Sequence, residues 1–277
     1  MRSFGLGAAR TPPLSLAFDQ RGLYCDATRV SDLEAILENA PFPLELLARA
    51  AAARARIVAA KLSKYNVGAQ STPRFAANGR RVVLVPGQVE NDLSLRFGGG
   101  ETRDNLALLR AARAARPGAY LVFKPHPDVV QGFRPGRVKA STAREFADAI
   151  VDDVSIDALI GVADEVFTIA SLAGFEALMR GKAIATCGTP FYAGWGLTED
   201  IVACARRTRR LALDELIAGA LILYPRYLHP VSGYMCEIEE ILDYFDTHAR
   251  ATSQRRPAGA LRRLGWRLRS LVVPHFA

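Results

Sequence analysis

Cysteine is scarce in this sequence, and scattered. Of 277 residues only four are Cys, at positions 25, 187, 204 and 236, and none forms a CxxC or CxH pair. Zinc sites need ligands at short spacings, and disulfide frameworks belong to small secreted chains, so neither is expected. Cys25, Cys187, Cys204 and Cys236 read as reduced, mostly buried thiols. Apolar runs are short too, and none reaches the roughly 18–20 residues a membrane-spanning helix requires. The opening "MRSFGLGAARTPPLSL" lacks the roughly 7–15-residue apolar centre of a signal peptide, which points to the cytoplasm. No GxxxxGK[ST] stretch occurs, which argues against P-loop phosphoryl chemistry. No internal repeat is found.

Acidic residues are missing from the C-terminal tail. Between Arg250 and Arg269 lie seven arginines and no acid, and without them the formal net charge of +8 falls to +1. The basicity therefore marks a tail and not a nucleic-acid groove. In that tail Leu261, Leu264, Leu268 and Leu271 recur at helical spacing beside Trp266. Such a segment suits an amphipathic helix on an anionic membrane. A disordered solubilising tail is the alternative, since Gly265 weakens the helix. The chain as a whole is half hydrophobic and 23% charged, the composition of a globular chain with a substantial core.

The middle of the chain alternates two patterns. "RVVLVPG" (81–87), "AYLVFKPH" (119–126), "EVFTIA" (165–170) and "KAIATCG" (182–188) are short, apolar and β-rich. Helical periodicity marks 102–118 and 171–181, with a third helix expected near 142–150. Continuous apolar strands separated by amphipathic helices specify an α/β fold, a parallel sheet with helices on both faces. Upstream, 43–66 reads as a long alanine-rich connecting helix. The stretch "LSLAFDQRGLYCDA" (14–27) reads as a hairpin, and Ser31 with Glu34 as a capping box. Further helices are expected over about 213–222 and 236–247.

In open α/β sheets ligands bind beyond the carboxyl ends of the strands. Each polar cluster here falls at such an end: Gln88 to Asp92, Lys124 and His126, and Ser171. Asp92 suits a nucleophile or general base, or is simply a loop acid. His126, held between Pro125 and Pro127, would form a cationic pair with Lys124 facing an anionic ligand. Ser171 opens a helix whose N-terminus can receive phosphate, or is an ordinary cap. Gly174 allows either close backbone approach or helix–sheet packing. Glu176 reads equally well as a solvated or salt-bridged residue. "RFGGGETRDN" (96–105) reads as a flexible loop. "VDDVSIDA" (151–158) resembles a metal-binding acid pair but is read as a helix edge or loop, because nothing places it at a strand's carboxyl end.

With these residues in view the chain resembles a known family. "VPGQVENDLSL", "FKPHPDV", "SLAGFEALMRGK", "TPFYAGWGLTED" and "LILYPRYL" are similar to the capsule polysaccharide β-Kdo transferases of the KpsC type. "GLYCDATRVSDLEAIL" and "KLSKYNVG" fit the same family, over roughly residues 2–247.

The resemblance implies a two-lobed, GT-B-like Rossmann-type glycosyltransferase. Residues 1–70 would be a remnant of the N-terminal, acceptor-side lobe plus the connecting helix. Residues 71–249 would form the CMP-sugar-binding lobe and 250–277 the basic tail. The sequence that precedes Arg2-Ser3 in the family pattern is not found here, so the N-terminal lobe is expected to be incomplete. The resemblance further implies retaining transfer of 3-deoxy-D-manno-oct-2-ulosonic acid (Kdo) from CMP-β-Kdo to a lysophosphatidylglycerol-linked acceptor. That acceptor lies at the inner-membrane surface, with other capsule-assembly proteins as partners and neither cofactor nor metal required. The family's QxxxD motif falls on Gln88 and Asp92, its His-Pro motif on His126 and Pro127, and its helix-start serine on Ser171. Lys124, Gly174 and Glu176 are grouped with these as donor-binding residues. Two alternatives stand beside this reading: a truncated, non-catalytic module that binds CMP-sugar or membrane, and a different CMP-sugar transferase of similar fold.

Overall fold

The computed structural model describes residues 14–64 and 69–253, with side chains as far as 247. Ser15–Ala17 form β1. Ser31 then caps α1 (Asp32–Asn39), its Oγ accepting from the Glu34 N–H at 3.0 Å. Helix α2 (Leu44–Ala59) follows. The chain leaves it through Lys61, whose φ of 52° is incompatible with helix.

The sheet-forming part alternates as its patterning predicts: β2 (Val82–Pro86), α3 (Leu93–Gly98), α4 (Asn105–Ala115), β3 (Tyr120–Lys124), the short α5 (Pro127–Val130) and α6 (Ala140–Ala143), β4 (Ala149–Ile150), α7 (Ile156–Val162), β5 (Glu165–Thr168), α8 (Leu172–Met179), β6 (Ala183–Thr186) and β7 (Glu199–Asp200). Helix α9 (Leu213–Ile217) continues as a π-helical turn, Ala218–Leu223, before β8 (Pro225–Leu228), β9 (Met235–Cys236) and α10 (Ile238–Ser253).

Six strands form a parallel sheet in the order β4-β3-β2-β5-β6-β7. Successive strand residues point to opposite faces, and both faces are apolar. Val83, Val85, Leu121, Phe123, Phe167 and Ile169 pack on Leu108, Leu109 and Ala112 of α4. Leu84, Val122, Val166 and Ile184 face the other way, against Leu159 and Ile160 of α7 and Phe175 and Leu178 of α8. Each such fully buried aliphatic or aromatic side chain contributes about 1.5–3 kcal/mol through burial. A second, antiparallel sheet joins β1, β8 and β9, with Ser15 opposite Tyr227. Residues 15–59 thereby pack on the C-terminal helices rather than standing alone. Arg49 bonds Glu237 and Glu239, Arg54 bonds Asp214, and Arg56 bonds Asp243 and Asp246.

Several expectations need correction. The 14–27 stretch is no hairpin. The Asp19 carboxylate accepts from the N–H groups of Arg21, Gly22 and Asp32, which bends the chain after β1 and sends that strand to β8. The helix expected near 142–150 is limited to Ala140–Ala143. Beyond it the Asp148 carboxylate accepts from Arg80, Arg113 and the Leu121 N–H, drawing residues 149–150 into the sheet as edge strand β4. The Gly-rich stretch 96–105 is not one loop, since α3 runs into it and Asp104 caps α4. The capping box at Ser31 is one-sided: Glu34 turns inward to Arg206 and Arg207. Among the cysteines only Cys187 is buried, while the other three are partly exposed.

No helix of the described residues is long and apolar enough to cross a membrane. The "RSFGLG" motif at 2–7, residues 65–68 of "KLSKYNVG" and the tail from 254 onward lie outside the described residues.

Candidate active site

An open cleft lies at the carboxyl ends of the central strands, where ligands bind in open α/β sheets. Pro86 and Gly87 end β2, and Lys124 to Pro127 end β3. Ser171, Leu172 and Ala173 open α8 opposite them, with Glu176 and Lys64 completing the wall. The structure thus brings Lys124, His126, Pro127, Ser171 and Glu176 together, as their positions after apolar strands predict.

The loop that follows β2 owes most of its polarity to structure. Gln88 is buried and reaches across to the next strand, its Oε1 accepting from Ala170 N–H at 3.0 Å and Thr168 Oγ1 at 3.4 Å. Its own backbone exchanges two 2.8 Å bonds with the Asn105 side chain. Glu90 accepts from the Asn105 N–H, and Asn91 accepts from Arg134. Gln88 thereby ties the β2 end to the start of α8.

Asp92 is the loop member that stands apart. It caps α3, and its Oδ1 accepts from both the N–H and the hydroxyl of Ser94 at 3.0 and 2.9 Å. Its Oδ2 accepts no hydrogen bond among the described residues. The Asp92 charge reaches the His126 imidazole and the Tyr24 phenol, raising the pKa of both. Asp92 is not among the residues that line the cleft, and its link to it is this charge on His126.

His126 caps α5, its Nδ1 accepting from the Asp128 N–H at 3.2 Å. Burial pushes its pKa down to about 4, the Asp128 and Asp92 charges raising it and the Lys64 and Arg134 charges lowering it. The ring is neutral at pH 7, with its proton on Nε2. This corrects the expected cationic pair: burial removes the charge that the sequence pattern would assign to His126.

Lys124 is committed elsewhere. Its ammonium is buried and donates to the carbonyls of Val154 at 2.6 Å and Asp152 at 3.5 Å. Burial lowers its pKa against the raising charges of Asp152 and Asp153. The 151–158 segment does follow a strand end, that of β4, contrary to the ground on which it was read as a loop. What it presents to Lys124 is backbone carbonyl. Among the described residues no cluster of three or more His, Cys, Asp or Glu is placed to hold a metal ion.

Ser171 caps α8, accepting from Ala173 N–H at 3.2 Å. The positive end of this buried helix borders the cleft, its Ala173 and Gly174 N–H groups held by the Ser171 hydroxyl and carbonyl. Gly174 is a packing glycine: a Cβ there would lie 2.3 Å from the Tyr192 hydroxyl. The reading in which it approaches a ligand is set aside. Glu176 is neither solvated nor simply salt-bridged. It is buried, accepts from the Lys64 N–H at 2.8 Å, and has its pKa raised to about 7 by burial.

Three contributors were not singled out from sequence. Lys64 lines the cleft, Asn105 ties three loops, and Tyr192 holds the Ser171 carbonyl at 2.5 Å. "KLSKYNVG" pointed to the first only as part of a motif.

The family model described as capsule polysaccharide biosynthesis protein matches residues 1–227. The capsule polysaccharide modification protein LipA of Neisseria meningitidis serogroup A is 45% identical over 230 residues, covering 83% of this chain and 32% of LipA. The lipopolysaccharide-processing protein LpsZ of Rhizobium meliloti is 42% identical over 250 residues, covering 87% of this chain and 56% of LpsZ. This chain therefore spans about a third of LipA and just over half of LpsZ. Among solved structures, the β-Kdo 2,7 transferase of Thermosulfurimonas dismutans KpsC superposes with a TM-score of 0.76 at 38% identity, covering 90% of this chain and 76% of that one. The β-Kdo 2,4 transferase of the same KpsC gives 0.79 at 37% identity, with 88% and 76% covered. The fold is accordingly the GT-B-like α/β fold of those transferases, and the chain belongs to the capsule polysaccharide biosynthesis protein family.

Proposed function

We propose that the chain is a Kdo glycosyltransferase of capsule polysaccharide synthesis, using CMP-β-Kdo as donor and retaining anomeric configuration. The observation that carries this is the cleft that the His126-Pro127 turn and the N-terminus of α8 line together, with Asp92 close enough for its charge to act on the His126 imidazole. Its likeness in sequence and shape to two KpsC β-Kdo transferases supports the same reading.

In this scheme Asp92 Oδ2 attacks the anomeric carbon of Kdo. The bond to the CMP phosphate breaks, and CMP departs with the electron pair. An acceptor hydroxyl then attacks the same carbon, loses its proton, and releases the Asp92 carboxylate. Two inversions give net retention. Negative charge grows on the departing phosphate, where the positive end of α8, the Ser171 hydroxyl and the neutral His126 Nε2–H can receive it. Gln88 holds the two loops in register for this step. The acceptor in this scheme is a lipid-linked Kdo presented at the inner-membrane surface.

The test is product stereochemistry. The protein is incubated with CMP-β-Kdo and a soluble Kdo-terminated acceptor, and the new linkage is read by NMR. A β-linkage supports the reading, an α-linkage removes the double displacement, and the absence of any transfer or CMP release removes the transferase assignment.

A further inference from the structure

Arg134 lies outside every motif read from the sequence, yet it joins the two loops on which the proposed chemistry depends. Its loop, 131–137, is held to the His-Pro turn through the backbone. The Asp128 carbonyl accepts from the N–H groups of Phe133 at 2.8 Å and Arg134 at 3.2 Å, and the Asp128 N–H donates to His126 Nδ1. The other side of the loop is held to the segment after β2. The Pro135 carbonyl accepts from Glu90 N–H at 3.2 Å, and the Gly136 carbonyl accepts from the Asn105 side chain at 2.8 Å. At Gly136 φ is 126°, and a Cβ would lie 2.8 Å from the Gln88 carbonyl oxygen, so glycine is required for this approach. Between these anchors the Arg134 guanidinium meets Asn91, with Nη2 and Nε donating to Asn91 Oδ1 at 3.0 and 3.3 Å. Asn91 directly precedes Asp92. Among the described residues the guanidinium bonds no carboxylate, and its Nη1 makes no hydrogen bond. Burial dominates the low pKa of His126, but the Asp92 charge, which raises it, and the Arg134 charge, which lowers it, both reach the ring. Arg134, Asp92 and His126 are therefore neighbours.

We infer that Arg134 binds the carboxylate of the transferred sugar acid and so selects for it. The inference rests on the function proposed above and deepens it. In a 2-ulosonic acid the anomeric carbon is C2, and the C1 bonded to it is a carboxylate. Attack by Asp92 on that carbon brings a second carboxylate directly beside the first, and like charges so placed repel unless a cation lies between or beside them. His126 does not supply one, being neutral at pH 7, and Lys124 is turned onto the carbonyls of Val154 and Asp152. Arg134 keeps its charge and presents planar, paired donors that match a carboxylate. Asn91 occupies the Nε/Nη2 edge of the fork and fixes its plane, which leaves the Nη1/Nη2 edge for the sugar. A sugar that lacks the acid leaves this edge unpaired, which is the source of the selectivity. A Kdo-terminated acceptor carries the same group, but only the donor's carboxylate is bonded to the carbon that Asp92 attacks.

The experiment follows intact-protein mass over time with CMP-β-Kdo and no acceptor, for the wild type, Arg134→Gln and Arg134→Lys. CMP affinity by calorimetry and thermal unfolding are measured for each. The work is done at pH 8, where His126 is neutral with or without the Arg134 charge, so an effect routed through that ring is removed. Glutamine keeps a donor for Asn91 Oδ1. The expected result for Arg134→Gln is adduct formation slowed by roughly tenfold to a hundredfold, with CMP affinity and Tm near those of the wild type. Arg134→Lys should recover part of the rate, since it keeps the charge and loses the fork. An unchanged rate in Arg134→Gln would overturn the inference. So would a matching loss of CMP affinity, which would assign Arg134 to the phosphate, or a slower rate that goes with a fallen Tm, which would make it a loop clamp. A normal adduct rate with slowed transfer to a Kdo-terminated acceptor would assign it to the acceptor's carboxylate and overturn the inference as well. Each of these leaves the functional reading standing, whereas no adduct on the wild type would overturn the Asp92 attack and this inference with it.

Discussion

The Tyr192 hydroxyl lies 2.5 Å from the Ser171 carbonyl oxygen and donates to it, so a ring on the loop after β6 holds the cap of α8. The same ring fills the space beside Gly174 and is fully buried. It has nowhere to withdraw if that space is claimed.

Gly174→Ala should therefore destabilise through overpacking by about 1–3 kcal/mol. That corresponds to a fall in Tm of roughly 2–4 °C per kcal/mol for a chain of this size class. Thermal unfolding measures it, and adding Tyr192→Phe should recover part of the loss by removing the nearest atom. An unchanged Tm in Gly174→Ala would contradict the close packing.

His126 imposes an acid-side dependence. Its pKa is about 4 in the folded chain against an ordinary value of 6.5. Between these values the unfolded chain binds a proton that the folded chain does not. Stability from this group is thus full above pH 6.5 and declines as pH falls towards 4, by up to about 3 kcal/mol. Urea unfolding at steps from pH 7 to pH 4 should show a steeper decline for the wild type than for His126→Gln.

Glu176 acts in the opposite direction. Burial raises its pKa to about 7 from 4.5, so its contribution is full below pH 4.5 and is lost as pH rises through 7. Glu176→Gln imitates the protonated form and can still accept the Lys64 N–H. It should exceed the wild type in stability at pH 8, by on the order of 2 kcal/mol, with the gap closing by pH 5. A gap that widens on acidification would contradict this environment for the carboxyl.

Lys124→Met removes the donor to the Val154 and Asp152 carbonyls and leaves the buried Val154 carbonyl without it. A loss of about 1–3 kcal/mol is expected in urea unfolding. CMP affinity of the folded fraction should stay near that of the wild type. A selective loss of CMP binding with unchanged stability would return Lys124 to the donor site.

Much of the sheet was legible because its signal is local. Val83, Leu84 and Val85 alternate faces within one strand, and Ser31 caps a helix that begins at the next residue. What was not legible depends on partners distant in sequence. β1 pairs with β8 more than two hundred residues on, so its segment resembled a hairpin with its neighbours. The neutrality of His126 and the commitment of Lys124 follow from burial and from carbonyls some thirty residues away, which residue type cannot reveal. The Gln88 side chain looked chemical because its loop is polar, but its amide oxygen bridges strands eighty residues apart. The strand-end rule pointed to the cleft, and only the packing shows which of its side chains are committed to structure.

The central claim is that Asp92 forms a bond to the transferred sugar. Intact-protein mass measured after incubation with CMP-β-Kdo and no acceptor, for the wild type and Asp92→Ala, tests it most directly. The account predicts one added Kdo on the wild type, located by peptide mapping to the segment containing Asp92, and none on Asp92→Ala. An adduct that persists in Asp92→Ala, or transfer to acceptor by Asp92→Ala at the wild-type rate, would contradict it.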